Sequence, residues 1–291
     1  MLRLIIMLSF VIATHPIAAA EPELQLWPNG MPEPKVEADK PEEAPVDAKG
    51  ISRRSNISNP RLVIFEAPDS LRTGAAAIVV PGGGLGKLAD SHEGSDACRW
   101  LNKLGITGIL LLHRSPTNNQ EQPNLGPAQD AQRAVQLMRA EADKWKIDPQ
   151  KIGIFGYSSG GQVTLVAATN DLLFPREETI TASHKPDFLI VSYPWQIYDQ
   201  AKKQLRSDIH PEYGMPPIFI AQCADDKSSL AQGSTLLFLE CLNRKVPAEL
   251  HIYEKGGHGY GMQAKPDAPG TTNWADRLAD WLILRGLGKR G

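Results

Sequence analysis

The sequence predicts an α/β protein with a mostly parallel, twisted sheet that carries helices on both faces. From residue 61 onward, short apolar runs alternate with longer amphipathic stretches. Strands that are apolar throughout are typical of a sheet buried on both sides, and their alternation with helices is typical of parallel connections. The chain has 291 residues, of which 42% are hydrophobic and 22% charged, so we expect one sizeable core and one main domain.

The order of these stretches gives the expected strands and helices. Apolar runs predict strands at residues 62–65, 76–80, 106–112, 151–155, 188–191, 218–221 and 249–253. Amphipathic stretches predict helices at residues 95–103, 128–145, 161–169, 229–243 and 274–284. Ligands of such sheets bind at the carboxyl ends of the strands. Functional residues are therefore expected in the loops that follow the strands.

The first twenty residues have the pattern of a secretory signal peptide. A basic start at Arg3 is followed by an apolar run from Leu4 to Ala13 and by small residues at Ala18 and Ala20. This order predicts export to a periplasm or the extracellular space, with cleavage after Ala20. The apolar run is well short of the roughly 20 residues that a bilayer span needs. No membrane span is expected after removal of the signal.

Residues 21–59 predict an extended or partly disordered arm ahead of a domain at residues 60–291. Prolines and charged residues are frequent in this segment, and few of its residues are apolar, so it has little surface to bury. Leu26-Trp27-Pro28 is the exception. We expect Trp27 to dock on the surface of the domain.

Charge and cysteine content limit the possible partners. The formal net charge is −2 and no cluster of lysine and arginine stands out, which argues against nucleic acid and favours a small, weakly charged partner. Cys98, Cys223 and Cys241 have neither metal-site spacing nor the density of a disulfide scaffold, which favours buried thiols; a pairing of Cys223 with Cys241 stays open. No two histidines lie four residues apart, so no metal is predicted. No other cofactor is predicted, and the sequence does not indicate the oligomeric state.

The most informative segment is Gly156-Tyr157-Ser158-Ser159-Gly160. It follows a predicted strand and precedes a predicted helix, which is the context of a nucleophile elbow: the turn is so sharp that glycines flank it and the serine hydroxyl points outward. Ser158 is therefore the candidate nucleophile. A glycine- and serine-rich turn without chemistry gives the same local pattern, so the choice depends on partners elsewhere in the chain.

A glycine-rich loop, Pro81-Gly82-Gly83-Gly84-Leu85-Gly86, follows the second predicted strand. Successive glycines let backbone amides approach a bound carbonyl, as an oxyanion hole requires. We expect the amides of Gly83, Gly84 and Ser159 to be the donors. A phosphate-binding loop is the rival interpretation, but the segment lacks both the P-loop ending and the dinucleotide-site spacing.

Serine needs a base to remove its proton, and the base needs an acid to orient it. His258 lies between glycines directly after the last predicted strand, and it comes after the serine and the acid in the chain order of an elbow-type triad. Two adjacent aspartates, Asp225 and Asp226, follow the preceding strand. We expect Asp226 to be the acid, because it lies further from the strand end, and Asp225 to bond loop amides.

Two further polar segments fall near the expected site. His92 follows the glycine loop, and His113-Arg114 ends a strand. His92 is a candidate for lining the substrate pocket, although a solitary histidine is more often structural. Arg114 is expected to tie loops together through backbone carbonyls.

Taken together, these motifs resemble the α/β-hydrolase fold family, and within it the secreted bacterial esterases related to acetyl xylan esterases and acetylesterases. The resemblance covers residues 61–284, and Leu26-Trp27-Pro28-Asn29-Gly30 is similar to the opening of those proteins. The chain departs from the hormone-sensitive-lipase branch in having Pro81 before the glycines, and from dienelactone hydrolases in having Ser158 rather than cysteine. Lys227-Ser228-Ser229 stands where many relatives have Pro and Val.

The resemblance implies a serine carboxylic ester hydrolase that works through an acyl-enzyme on a small-molecule or oligosaccharide ester. Export and the resemblance together suggest an acetylated carbohydrate such as xylan or its oligosaccharides. Late aromatic residues, which are Tyr193, Trp195, Tyr198 and Tyr213, either stack on sugar rings or pack their loop. A serine peptidase is a second hypothesis, disfavoured because the short arm leaves no room for a gating domain. A catalytically inactive binding module is a third, and the intact Ser, Asp, His and glycine elements argue against it.

Overall fold

A computed structural model describes residues 20–37, 39–48, 50–176, 180–262, 271 and 273–290. The predicted signal peptide at residues 1–20 lies outside this set except for Ala20. Within the described part of the chain, no helix is long and apolar enough to cross a membrane.

Eight strands of the described residues form one twisted sheet, and two more form a short antiparallel ribbon. The strands are β1 (Glu23–Gln25), β2 (Arg61–Phe65), β3 (Ala76–Val80), β4 (Thr107–Leu112), β5 (Ile152–Tyr157), β6 (Phe188–Ser192), β7 (Tyr198–Asp199), β8 (Gln204–Leu205), β9 (Ile218–Cys223) and β10 (Ala248–Tyr253). The large sheet has the order β1-β2-β4-β3-β5-β6-β9-β10. The six strands from β4 to β10 in that order are parallel, whereas β1 and β2 are antiparallel to their neighbours. The predicted mostly parallel sheet is confirmed.

Helices cover both faces of this sheet, as predicted. They are α1 (Asp96–Lys103), α2 (Leu125–Ala140), α3 (Ser159–Thr169), α4 (Ala231–Asn243) and α5 (Trp274–Leu284). Because alternate strand residues point to opposite faces, the apolar strands supply two cores. One core packs against α2, α3 and α4, and the other against α1 and α5.

All seven predicted strands and all five predicted helices are present, and their boundaries lie within two residues of the predicted ones except in α2. Helix α2 runs over residues 125–140, not 128–145: it ends at Ala140, and the following segment forms turns in which Trp145 is still buried. Helix α4 starts at Ala231, two residues later than predicted. The Ser229 amide is hydrogen-bonded to the Asp226 carboxylate at 2.9 Å, which holds that segment in a turn.

The N-terminal arm is docked on the domain. Strand β1 extends the sheet and Leu26 is fully buried. The Trp27 indole donates to Asp130 at 2.7 Å, and the buried Arg114 guanidinium donates to the carbonyls of Pro32 at 2.8 Å and Pro34 at 2.7 Å. Trp27 and Arg114 thus behave as expected. The described residues of the arm thus contact the domain through β1, Trp27 and Arg114.

The cysteines lie inside the domain. Cys98, Cys223 and Cys241 are all buried, and Cys223 and Cys241 do not form a disulfide with each other. Burial raises the pKa of the Cys241 thiol to about 11, so that side chain stays protonated at neutral pH.

Candidate active site

Ser158 lies at the sharp turn between β5 and α3. Its backbone has φ +51° and ψ −121°, a left-handed conformation that is strained for a residue with a side chain. A Cβ atom on Gly156 would lie 2.2 Å from Thr164 Oγ1, and one on Gly160 would lie 2.1 Å from the Val80 carbonyl oxygen. Both flanking positions therefore require glycine, which is the physical basis of the sequence pattern.

A row of hydrogen bonds joins three predicted site residues. Ser158 Oγ lies 2.7 Å from His258 Nε2, and His258 Nδ1 lies 2.7 Å from Asp226 Oδ2. An ionised carboxylate can only accept, so Nδ1 carries the ring proton and Nε2 is free to accept from the serine hydroxyl. The His258 ring also packs edge-on against Tyr193, with 4.9 Å between ring centroids.

Asp226 is 2% exposed and is held by several donors. Its Oδ1 accepts from the amides of Ser228 at 2.8 Å and Ser229 at 2.9 Å, and its Oδ2 accepts from Gln222 Nε2 at 3.2 Å. Burial by itself would raise the pKa of Asp226, but the bonds from His258 and the two amides hold it below the ordinary value. The carboxylate is therefore ionised at neutral pH.

The adjacent Asp225 has a different position. It is exposed, and its Oδ1 accepts from the Gly257 amide at 2.8 Å. This bond lowers the pKa of Asp225. The structure thus brings Asp226 to the imidazole and places Asp225 on the backbone of the loop that carries His258.

The glycine loop lies beside Ser158. A Cβ on Gly83 would lie 1.9 Å from the Lys87 carbonyl oxygen, and Gly83 has φ +140°. The Gly84 amide does not point to an empty site, since it donates to Ser159 Oγ at 3.0 Å. Ser159 is the first residue of α3, and the first amides of a helix have no acceptor within it. Of the three predicted donors, Gly84 is thus already engaged in this structure.

His92 is 8% exposed and lies under the loop that carries His258. Its Nε2 is 3.6 Å from Glu93 Oε1, and its Nδ1 has no hydrogen-bond partner among the described residues. A Cβ on Gly261 would lie 2.9 Å from His92 Cδ2. Burial lowers the pKa of His92, so its imidazole is neutral at pH 7.

Sequence reasoning missed the carboxylate next to His92. Glu93 is 3% exposed, accepts from the Gly82 amide at 2.9 Å and accepts from the Tyr193 hydroxyl at 2.9 Å. The sequence gives no local signal for this role, because both partners belong to other segments.

The late aromatic residues differ in burial and location. Tyr193 is fully buried and packs against other rings, whereas Tyr213 is 61% exposed and stacks on His210. Tyr198 lines an open cavity of about 710 Å³. The other residues that line it are Gln196, Asp199, Gln200, Arg206, Ser207, Lys227, Ser228 and Leu230. Most of the lining is therefore polar.

This cavity lies next to the Ser158 row. Ser228 lines it and donates its amide to Asp226 at 2.8 Å. Gln196 also lines it and follows Trp195, whose amide donates to the Ser158 carbonyl at 2.8 Å. No group of three or more His, Cys, Asp or Glu residues that could hold a metal ion occurs within the described ranges.

A mostly parallel sheet that carries a serine at a strand-to-helix elbow, with an aspartate and a histidine on later loops, defines an α/β-hydrolase. A family model described as BD-FAE matches residues 70–190. The acetylxylan esterase of Xylanibacter ruminicola is 28% identical over 65% of this chain and 42% of that protein. Endo-1,4-beta-xylanase B of Butyrivibrio fibrisolvens is 27% identical over 62% of this chain and 32% of that protein. The match thus spans less than half the length of each of these relatives.

Solved structures show the same fold. An acetyl ester-xyloside bifunctional hydrolase from Caldicellulosiruptor lactoaceticus superposes with a TM-score of 0.70 at 25% identity, over 94% of this chain and 99% of that one. The propionate-bound esterase Est2 of Thermogutta terrifontis gives a TM-score of 0.66 at 19% identity, over 88% of this chain and 97% of that one. The chain has the α/β-hydrolase fold, and its sequence is similar to that of an acetylxylan esterase.

Proposed function

We propose that this protein is a serine carboxylic ester hydrolase. The observation that carries the proposal is the row from Ser158 through His258 to Asp226, with 2.7 Å at each contact. A hydroxyl, an imidazole and a buried carboxylate in this order form the arrangement that activates serine for acyl transfer.

The reaction proceeds in two halves. Ser158 Oγ attacks the ester carbonyl carbon while His258 Nε2 takes its proton, and Asp226 stabilises the imidazolium that results. The tetrahedral intermediate collapses as His258 returns the proton to the leaving alcohol, which leaves an acyl group on Ser158. Water then attacks this acyl-enzyme, with the same imidazole as base, and releases the acid.

The negative charge on the carbonyl oxygen needs amide donors. The amides of Gly83 and Ser159 are our assigned donors. The Gly84 amide now donates to the Ser159 hydroxyl at 3.0 Å. It becomes the third donor when that hydroxyl rotates away. His92 is assigned to the wall of the substrate pocket near the loop of His258.

The proposed substrate is an acetylated carbohydrate, such as xylan or its oligosaccharides. Two named relatives, an acetylxylan esterase and an acetyl ester-xyloside hydrolase, support this choice. The polar cavity of about 710 Å³ beside Asp226 also supports it, since a hydroxyl-rich alcohol needs polar partners and an aromatic ring for its apolar face. We assign the sugar part of the ester to this cavity, with Tyr198 as the stacking surface.

We also propose export of the protein. The signal pattern at residues 1–20 supports it, and the mature chain would then comprise the arm at 21–59 and the catalytic domain at 60–291. N-terminal sequencing of the protein recovered from the periplasm or the medium of the producing cell should read from Glu21. An intact Met1 in that fraction would contradict the cleavage site.

The test is a release assay with acetyl, butyryl and feruloyl esters on phenols and on polysaccharide. Acetate release from acetylated xylan by the native chain, and none by Ser158→Ala, is the expected result. Cleavage of aminoacyl anilides with no ester hydrolysis would favour a peptidase instead. Failure of a fluorophosphonate to label Ser158 would favour an inactive binding module.

The sugar assignment has its own control pair. Tyr198→Ala is expected to lower the ratio of kcat/KM for acetylated xylo-oligosaccharide to kcat/KM for p-nitrophenyl acetate by about fivefold or more, the equivalent of a stacking contact. Tyr213→Ala removes an exposed tyrosine outside the cavity and should leave that ratio as it is. Equal kcat/KM ratios in the two variants would contradict the assignment of the sugar to this cavity.

A further inference from the structure

Glu93 is a buried carboxylate that the proposed reaction does not use. A buried charge is costly unless it is well paired or hydrogen-bonded. Among the described residues, its basic neighbour is His92, whose Nε2 lies 3.6 Å from Glu93 Oε1, and that imidazole is neutral at pH 7. Glu93 is therefore held chiefly by hydrogen bonds, and these come from two different loops of the site.

The first bond fixes the glycine loop. The Gly82 amide donates to Glu93 Oε2 at 2.9 Å, and the Gly82 carbonyl accepts from the Ala89 amide at 2.8 Å. In a trans peptide the N–H points opposite to the C=O, so the Gly82–Ala89 bond sets the direction of the Gly83 amide. A Cβ on Gly82 would lie 2.6 Å from Ser158 Cβ. The glycine whose amide Glu93 anchors thus packs directly against the nucleophile.

The second bond reaches the loop that carries His258. The Tyr193 hydroxyl donates to Glu93 Oε1 at 2.9 Å and accepts from the Gly261 amide at 2.9 Å. Burial, with the nearby Glu93 charge, raises the pKa of Tyr193 well above its usual value. The phenol therefore keeps its proton. It donates to Glu93 and accepts from the Gly261 amide, so the direction of both hydrogen bonds is fixed.

We propose that Glu93 is a positioning residue that holds the oxyanion amide of Gly83 and the imidazole of His258 in one alignment. It acts through Gly82 on one side and through Tyr193, whose ring packs against His258, on the other. One carboxylate thereby couples the group that receives the negative charge to the group that moves the proton. This inference rests on the proposed ester hydrolysis.

The test compares Glu93→Gln and Tyr193→Phe with Thr169→Val. Glutamine offers one acceptor oxygen where the carboxylate offers two, so either Gly82 or Tyr193 loses its acceptor. Phenylalanine removes the hydroxyl that joins Gly261 to Glu93. Thr169→Val is the matched control, because this buried hydroxyl also accepts a backbone amide, from His210 at 2.9 Å, but lies at the opposite end of α3 from Ser158.

The expected result is a fall in kcat for p-nitrophenyl acetate of roughly 10- to 100-fold in both site variants, the cost of a small misalignment of reacting groups. Their KM values should stay within about twofold of wild type, since ground-state contacts are not removed. Thr169→Val should keep the wild-type kcat even where its Tm falls as far as theirs.

Wild-type kcat in Glu93→Gln, or a loss of kcat in Thr169→Val that scales with Tm in all three variants, would overturn the proposal. If Glu93→Gln does not fold, Tyr193→Phe is the deciding variant, because it removes the link to Gly261 and leaves the Glu93–Gly82 bond in place. A wild-type kcat in Tyr193→Phe would contradict the proposed coupling of the two loops. A wild-type protein that hydrolyses no ester would instead overturn the proposed function, and with it this inference.

Discussion

Replacing Asp226 with asparagine tests the assignment of the acid, and the structure fixes how the new side chain sits. Asp226 Oδ1 accepts two amides, from Ser228 at 2.8 Å and Ser229 at 2.9 Å. An asparagine must keep its oxygen at that position, because a nitrogen there would leave both amides unpaired at about 1–3 kcal/mol each. Its NH₂ group then replaces Oδ2 and faces His258.

This orientation reverses the imidazole tautomer. The asparagine NH₂ donates to His258 Nδ1, so the ring proton moves to Nε2, and Nε2 can no longer accept the proton of Ser158. The same change in serine proteases lowers kcat roughly 10⁴-fold, which corresponds to about 5.5 kcal/mol of activation free energy. The new NH₂ group also faces Gln222 Nε2, a donor that now lies 3.2 Å from Oδ2, so a loss of about 1–3 kcal/mol of stability is expected as well.

The assay is p-nitrophenyl acetate hydrolysis by Asp226→Asn, with urea denaturation to measure the stability loss separately. Asp225→Asn is the matched control, because Asp225 is exposed and its bond to Gly257 can be replaced by water. The kcat of that control should stay within about threefold of wild type, because Asp225 does not contact the imidazole and an exposed substitution changes stability by only about 0.5 kcal/mol. A kcat for Asp226→Asn within tenfold of wild type, or a larger loss in Asp225→Asn, would refute the reasoning.

Three further changes have expected outcomes. Gly83→Ala should abolish turnover and labelling of the serine by a fluorophosphonate, because the new Cβ would lie 1.9 Å from a backbone carbonyl oxygen. Gly84→Ala has no atom within 4 Å of its Cβ, so it should lose only about 1 kcal/mol of stability for its left-handed φ. Similar activities in the two variants would contradict the assigned role of the loop. Trp27→Phe should lower the free energy of unfolding in urea by about 1.5–3 kcal/mol, the value of a hydrogen bond to a charged acceptor, here Asp130, and an unchanged midpoint would show that the arm is held otherwise. The pKa of Asp226 is lowered in the folded protein, so its contribution to stability is present above its unfolded-state pKa of about 4 and is lost as the pH falls through the folded-state value. The difference in unfolding free energy between wild type and Asp226→Asn should therefore become smaller from pH 7 to pH 3. A difference that becomes larger would show that the pKa of Asp226 is raised on folding.

Much of the fold follows from the sequence because strands and helices have local patterns. The runs at 76–80 and 152–155 are apolar at every position, which is enough to predict buried parallel strands. The arm is different: its prolines and charges predict little burial, yet β1 pairs with β2 and Trp27 reaches Asp130, a residue 103 positions away. Composition alone does not show that such a segment has a docking surface.

The site also contains features that the sequence predicts and features that it does not. The elbow around Ser158 could be predicted, because a sharp turn imposes glycine on adjacent residues. Two neighbouring aspartates have the same local surroundings, and only the folded chain places one of them, Asp226, 2.7 Å from His258. The engagement of the Gly84 amide by Ser159 was not predicted, since it depends on the approach of two loops 75 residues apart.

The sequence by itself determined the order of strands and helices, the strained turn at Ser158 and the glycine loop, since each depends on residues that are neighbours in the chain. Only the tertiary structure decided which carboxylate meets His258 and how Glu93 links two loops. These contacts join residues 11 to 100 positions apart. Their geometry depends on the packing of the sheet and its loops, which no short segment encodes.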